Sequence, residues 1–197
     1  HMSPSHKSHL VDLLQRLTDK KVSEVKNDEE ILPDRIYITP PSKNISIKNN
    51  RFELKEPALD SILAKPSIDL FFNSLANAFG RRAVGIILSG TGRDGTMGMR
   101  AIQAREGITI VQDPESAKYD GMPLSSINDQ IVDIIVLPGK IGEELVEVFD
   151  FINGDLEFKP SQTQQIDRVN ILSLVKQTVG VDFSKYKTTT INRRIQR

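Results

Sequence analysis

The sequence predicts an α/β protein with a three-layer, doubly wound, mostly parallel sheet and an antiparallel hairpin, followed by a short all-α segment. Strand-like and helix-like patterns alternate between residues 83 and 152, which is typical of βαβ units. Asn49-Asn50 separates two runs with alternating apolar residues, and this pair tolerates the positive φ of a two-residue hairpin turn. Of the 197 residues 38% are hydrophobic, so the chain has an ordinary globular composition.

Each element has its own local signal. Ser3-Pro4 predicts the start of a helix whose leucines recur at helical spacing as far as Leu17. A second helix is predicted over 68–79, with phenylalanines and Leu75 on one face and Gly80 just past its end. The remaining predicted elements are strands over 35–39, 44–48 and 52–55, then strand 83–88, helix 95–105, strand 108–112, loop 113–124, strand 131–136 and helix 141–152.

Charge and composition divide the chain into three parts. Residues 1–152 form the α/β domain, which we expect to be truncated at its N-terminus, and the polar stretch 153–165 is predicted to be a linker. Residues 166–197 carry seven basic and two acidic side chains, a net charge of +5, so the preceding residues carry −5. This asymmetry predicts a functional boundary near residue 160 and a truncated helical segment after it.

The bulk composition excludes several classes of site. The chain has no cysteine, which removes disulfides and thiolate metal sites and fits a reducing, cytoplasmic location. No apolar run approaches the roughly 18 residues of a membrane span, so membrane insertion is not expected. His6 and His9 are predicted to be exposed on the first helix, and with His1 they form no convincing metal set.

The turn after the strand over 83–88 supports two interpretations. Gly90, Gly92 and Gly95 satisfy G-x-G-x-x-G, and Asp113 lies where a ribose-binding acid would follow, as in dinucleotide-binding domains. Asp94 argues against this, because a carboxylate in the turn occupies the anion site and repels a pyrophosphate. In the other interpretation Asp94 orients an imidazole that activates a hydroxyl nucleophile. His1, directly before the helix cap, is a candidate for that imidazole.

Three motifs resemble the chemotaxis protein-glutamate methylesterase domain (CheB type) over about residues 1–152. They are Phe72-x-Ser74-Leu75-Ala76, the run from Ile87 to Gly98, and the run from Val111 to Pro123. The resemblance implies hydrolysis of glutamyl methyl esters on chemoreceptors, with deamidation of certain receptor glutamines, and no metal or cofactor. It also implies that His1 is the general base and acid, that Asp94 is its orienting partner, and that Thr91 and Met122 line the substrate pocket.

The chain departs from that family at the nucleophile. The family's catalytic serine lies in a small glycine-rich turn upstream of the histidine, and the given sequence begins at His1, so we expect that serine to lie outside it. Ser89 belongs to the aspartate motif and Ser3 reads as a helix cap, so neither is assigned as the nucleophile. We therefore expect this chain alone to be inactive and a longer parent protein to be active. A vector-derived His1-Met2 would instead make the match at His1 accidental.

The basic tail resembles the beginning of the N-terminal helical domain of chemoreceptor methyltransferases (CheR type), in the run from Val181 to Arg197. A methylesterase followed by this segment is similar to a fusion of the two opposing enzymes, ending before the S-adenosylmethionine site. Arginines pair well with carboxylates, so the tail suits an acidic receptor surface. One short basic helix in a neutral chain gives little support for nucleic-acid binding. A noncatalytic receptor-docking module is the remaining alternative.

Overall fold

The structure is a computed structural model that describes residues 9–56 and 67–153. The chain divides into two compact units, and residue 135 is the last residue of the first. The predicted α/β class, with a parallel sheet and an antiparallel hairpin, is confirmed. The predicted all-α segment over 166–197 and almost all of the predicted linker lie outside the described residues. No helix in the described ranges has the length and apolar content needed to span a membrane.

The first described elements are one short helix and four strands: α1 (Leu10–Gln15), β1 (Lys21–Glu24), β2 (Arg35–Ile38), β3 (Asn44–Lys48) and β4 (Arg51–Lys55). Strands β3 and β4 form the predicted antiparallel hairpin. Asn49 and Asn50 both have positive φ, 50° and 59°, as a tight two-residue turn between twisted strands requires. Strand β2 does not extend this hairpin, because it pairs in parallel with β1.

The second group of elements builds the main sheet: α2 (Ile68–Phe79), β5 (Val84–Ile87), α3 (Thr96–Ala104), β6 (Ile108–Gln112), α4 (Gly121–Asn128), β7 (Ile134–Val136) and α5 (Ile141–Asn153). The strand order is β5-β6-β7, and β5 and β6 run parallel. Helix α2 begins and ends where the sequence predicts, with Ser67 as its N-cap and Gly80 as its C-cap. Helix α5 belongs to the second unit, whereas α2, α3 and α4 belong to the first.

The prediction of a continuous loop over 113–124 is wrong. A short 3₁₀ turn covers Pro114–Ser116, and helix α4 begins at Gly121. The Gly121-Met122-Pro123 sequence suggests a turn, but proline is well tolerated in the first turn of a helix. Gly121 packs closely against the turn after β5, since a Cβ there would lie 3.2 Å from the Gly92 nitrogen.

Two apolar clusters meet at α2, which therefore serves two surfaces. The first is the main core, formed by Phe72, Ala76, Ala83, Ile87, Met99, Ile102, Val111, Met122 and Ile131. The second covers the hairpin and is formed by Val25, Ile45, Ile47 and Phe52. Three side chains of α2 pack against both clusters: Phe71, Leu75 and Phe79. The apolar surface of this helix is therefore broader than the single face that the sequence predicts. This arrangement places the N-terminus of α2 beside the turn that follows β5.

Gly98 sets how closely α3 approaches α2. A Cβ at this position would overlap the Cβ of Phe72 and lie 3.2 Å from the Asp69 Cα. We expect Gly98→Ala to lower the free energy of unfolding by about 1–3 kcal/mol, the usual range for overpacking. Gly142→Ala is the matched control, because a Cβ on that helical glycine would meet no atom within 4 Å and alanine favours helix. Urea unfolding of both variants measures the difference, and equal stabilities would contradict the close packing assigned to Gly98.

Candidate active site

The candidate site is the turn that joins β5 to α3 at the carboxyl edge of the parallel sheet. Ligands in open α/β sheets bind at this edge. Gly92 and Gly95 adopt positive φ, 85° and 99°, which lets the chain reverse sharply before α3 begins. Thr91 and Arg93 are exposed on the turn, whereas Asp94 is only partly exposed.

The segment after β6 holds the outer part of this turn in place. The Gln112 side chain, which is 6% exposed, accepts a hydrogen bond from the Ser89 N–H at 2.9 Å and donates to the Ser116 carbonyl at 3.1 Å. The Gly90 N–H donates to the Tyr119 carbonyl, and the Gly90 carbonyl accepts from the Met122 N–H, both at 2.9 Å. The turn is thus fastened along its length to the residues between β6 and α4.

The Asp94 carboxylate is directed at the N-terminus of α2. It accepts hydrogen bonds from the Ile68 N–H at 2.7 Å and the Asp69 N–H at 3.0 Å. The Ser67 hydroxyl donates to it at 3.4 Å, and the Gly95 N–H of its own turn donates at 3.1 Å. Backbone donors and the positive end of a helix stabilise a carboxylate and hold it in one orientation. Such a fixed carboxylate can keep an imidazole in one tautomer and stabilise its protonated form.

Asp69 makes the reciprocal arrangement at α3. One oxygen of its carboxylate accepts from the Gly95 N–H at 3.0 Å and from the Gly98 N–H at 2.7 Å. Asp94 therefore caps α2, the helix that carries Asp69, and Asp69 caps α3, the helix that follows Asp94. Burial raises the pKa of Asp69, and the negative charge of Asp94 raises it further, while the two glycine amides act in the opposite direction.

The same contacts weigh against dinucleotide binding. A pyrophosphate would need the backbone N–H groups at the start of α3. Two of those groups already donate to the Asp69 carboxylate, and Asp94 adds a second negative charge beside them. The sequence predicts that Asp94 fills the anion position of the turn, but the carboxylate that accepts both the Gly95 and Gly98 N–H groups is that of Asp69. Asp94 accepts only the Gly95 N–H there. Asp113, the expected ribose-binding acid, instead caps the 3₁₀ turn by accepting from the Glu115 N–H at 3.0 Å.

The predicted site residues have different surroundings. His1 lies outside the described residues, so its approach to Asp94 stays a prediction. Thr91 is exposed at the tip of the turn. Met122 is 8% exposed and belongs to the main core, where its side chain packs against Gly90 of the turn. It therefore presents little surface to a substrate. His9 is exposed as predicted, and it lies 3.8 Å from the Asp12 carboxylate.

Two residues of the site went unrecognised in the sequence. Ser67 precedes an apolar helical pattern, which signals an N-cap, but nothing local indicates its hydroxyl bond to Asp94. Asp69 has the ordinary appearance of an acidic residue in a first helical turn. Its partners at Gly95 and Gly98 are 26 and 29 residues away, so no short-range signal exists for them. The exposed Ser89 hydroxyl accepts from the Tyr119 N–H at 2.9 Å, in keeping with a structural role.

Known proteins of one family are similar to this chain. A model of the CheB methylesterase family matches residues 1–145. Relatives named protein-glutamate methylesterase/protein-glutamine glutaminase include one from Carboxydothermus hydrogenoformans, 31% identical over 74% of this chain and 44% of its own length. Another, from Escherichia coli K12, is 34% identical over 65% of this chain and 38% of its own length. The chain thus spans less than half the length of these two relatives.

Two further similarities extend the comparison. The crystal structure of the Thermotoga maritima CheB methylesterase catalytic domain superposes with a TM-score of 0.68 at 29% identity, covering 75% of this chain and 80% of that domain. An uncharacterized 104.1 kDa protein of Rhodobacter capsulatus is 31% identical over 95% of this chain, which is 22% of its own length. The family match and the shared fold lead to one conclusion: the chain belongs to the CheB methylesterase family.

Proposed function

We propose that the protein containing this chain hydrolyses glutamyl methyl esters on chemoreceptors and deamidates certain receptor glutamines. The observation that carries this proposal is the Asp94 carboxylate, held by the backbone amides of Ile68 and Asp69 at the carboxyl edge of the sheet. The names of the relatives, protein-glutamate methylesterase/protein-glutamine glutaminase, support the choice of substrate. On this proposal the protein acts in the cytoplasm and needs no metal or cofactor.

The proposed chemistry is that of a serine hydrolase. A serine from a segment upstream of His1 attacks the ester carbonyl while the His1 imidazole accepts its proton, and Asp94 stabilises the imidazolium. Collapse of the tetrahedral intermediate releases methanol, which takes the proton from His1. Water then hydrolyses the acyl-enzyme by the same route, which leaves a glutamate carboxylate and regenerates the serine. With a glutamine substrate the leaving group is ammonia. Thr91, exposed on the turn, is proposed to line the substrate pocket, and Met122 to support it.

We also propose that residues 166–197 belong to a methyltransferase-like domain fused behind the methylesterase domain. Their net charge of +5 suits an acidic receptor surface. The Rhodobacter capsulatus relative supports a longer architecture, because its similarity covers 95% of this chain, whereas the Escherichia coli enzyme covers 65%. The domain boundaries at 152 and 165 are part of this proposal.

Methanol release tests the proposed function. A chemoreceptor fragment carrying radiolabelled methyl esters is incubated with this chain and with a protein extended upstream of His1, and volatile label is counted. We expect release from the extended protein only, because removal of a triad nucleophile leaves only residual catalysis. An unmethylated receptor fragment, labelled elsewhere, controls for nonspecific loss of label. Receptor binding without methanol release from either protein would overturn the proposal in favour of a docking module.

A further inference from the structure

Asp69 connects the two helices that frame the candidate active site. It lies in the first turn of α2, and its carboxylate crosses to α3, where it accepts the N–H groups of Gly95 and Gly98. These bonds, at 3.0 and 2.7 Å, satisfy donors that a helix N-terminus leaves without partners inside the helix. Gly95 directly follows Asp94, so the bond from the Gly95 N–H to Asp69 fixes the backbone next to the Asp94 side chain.

The backbone of the turn needs such support because it is unusual. Gly95 has a φ of 99°, and a Cβ there would come within 3.0 Å of both Ile68 and Ile87. A glycine in this region has many alternative conformations, so an external contact must select one of them. The bond from the Gly95 N–H to Asp69 provides that selection. In return, the Asp94 carboxylate accepts the Asp69 N–H, which closes a ring of contacts between the two residues.

From these contacts we infer that Asp69 is a positioning residue, which sets the orientation of the Asp94 carboxylate by holding the amides of Gly95 and Gly98. The inference rests on the function proposed above and assigns Asp69 no contact with substrate. A displacement of about 1 Å in a catalytic group can cost roughly 100-fold in rate. On this inference, the site depends on the position of one Asp69 carboxylate oxygen, because that oxygen accepts both amide N–H groups.

Three substitutions separate geometry from charge. Asp69→Asn keeps an oxygen where both amides donate but removes the negative charge. Asp69→Glu keeps the charge but moves the oxygens by one methylene. Asp69→Ala removes both. We expect Asp69→Ala and Asp69→Glu to lower kcat about 10- to 100-fold at little-changed KM, and Asp69→Asn to retain most of the kcat of the unmodified protein.

The raised pKa of Asp69 predicts that Asp69→Asn folds well. Because the folded protein binds this proton more tightly than the unfolded chain, the carboxyl favours folding most below its unfolded pKa, and that contribution is lost as pH rises through the raised folded pKa. The ionised form of Asp69 is therefore less favourable to the fold than its protonated form, and asparagine carries no such charge. Circular dichroism confirms that each variant is folded at the assay temperature, so kcat is compared between folded proteins.

Methanol release by the upstream-extended protein and its variants measures these effects. Asp12→Ala is the matched control, since Asp12 is also an aspartate in a first helical turn but is exposed, and its loss should leave kcat unchanged. Equal kcat in the unmodified protein and folded Asp69→Ala, or a loss in Asp69→Asn as large as in Asp69→Glu, would overturn the inference. Absence of methanol release from the unmodified protein would instead mark failure of the proposed function.

Discussion

Asp94→Asn is expected to lower kcat for methanol release roughly 10,000-fold, the effect that this substitution has on the orienting aspartate of a Ser-His-Asp triad. Asparagine offers the imidazole an amide in place of a carboxylate, so the imidazolium of the transition state is not stabilised. The measurement is the steady-state rate of methanol release, at saturating methylated receptor, by the protein extended upstream of His1. A loss of less than about tenfold would contradict the role assigned to Asp94.

The same substitution also perturbs the helix cap, so its effect on the fold must be measured. One Asp94 oxygen accepts from Ile68 and the other from Asp69, Gly95 and Ser67, and an amide group can replace only one of these oxygens as an acceptor. We expect a loss of about 1–3 kcal/mol in the free energy of unfolding, the usual cost of leaving a buried donor without an acceptor. This loss of stability reduces the fraction of folded protein, but it does not slow methanol release by the molecules that remain folded.

Asp113→Asn is the matched control for Asp94→Asn. Asp113 lies at the same edge of the sheet, and its carboxylate accepts one backbone N–H, from Glu115. Asparagine caps as well as aspartate, so both the rate and the stability should change little. A large effect on activity at Asp113 together with a small one at Asp94 would contradict the assignment of Asp94 as the orienting aspartate.

Replacement of His1 by glutamine in the upstream-extended protein is expected to lower kcat by about 10⁴- to 10⁶-fold, because the triad then has no general base. Glutamine retains hydrogen-bonding groups of similar size but cannot accept and return a proton at neutral pH. The rate of methanol release is again the readout, with receptor binding measured separately by sedimentation. A retained rate would show that another group supplies the base.

The chain provides its own controls for that experiment. His6 and His9 are the only other histidines in the sequence. His9 is exposed, and its imidazole lies 3.8 Å from the Asp12 carboxylate of the short first helix. His6→Gln and His9→Gln should therefore leave kcat unchanged. Loss of activity in either variant would mean that the imidazole has been assigned to the wrong residue.

The glycine turn shows how far the sequence alone can lead to the site. The strand before Ser89, the glycines of the turn and the helix after Gly95 all have signals within a few residues, and each lies where those signals place it. Asp94 could be selected because its charge opposes phosphate binding in such a turn. The alternative interpretation could not be rejected from the same residues, since the turn itself has the spacing of a dinucleotide-binding motif.

Helix α4 shows where local signals mislead. Gly121 and Pro123 are both typical of turns, yet Gly121 begins a helix and packs closely against Gly92, and Pro123 lies in the first turn of that helix. The same limitation applies to α2, whose phenylalanines read as a single stripe. Which of two neighbouring clusters each ring contacts depends on the strands that surround the helix.

The sequence by itself determined the α/β class, the hairpin turn at Asn49-Asn50 and the bounds of α2, because periodicity, capping and turn propensity act over a few residues. Only the tertiary structure decided which groups donate to the Asp94 carboxylate. One of them is the N–H of Asp69, 25 residues earlier, whose own carboxylate accepts the N–H of Gly95. Those hydrogen bonds exist because α2 and α3 pack closely at Gly98, and such a distant approach leaves no periodic trace in the sequence.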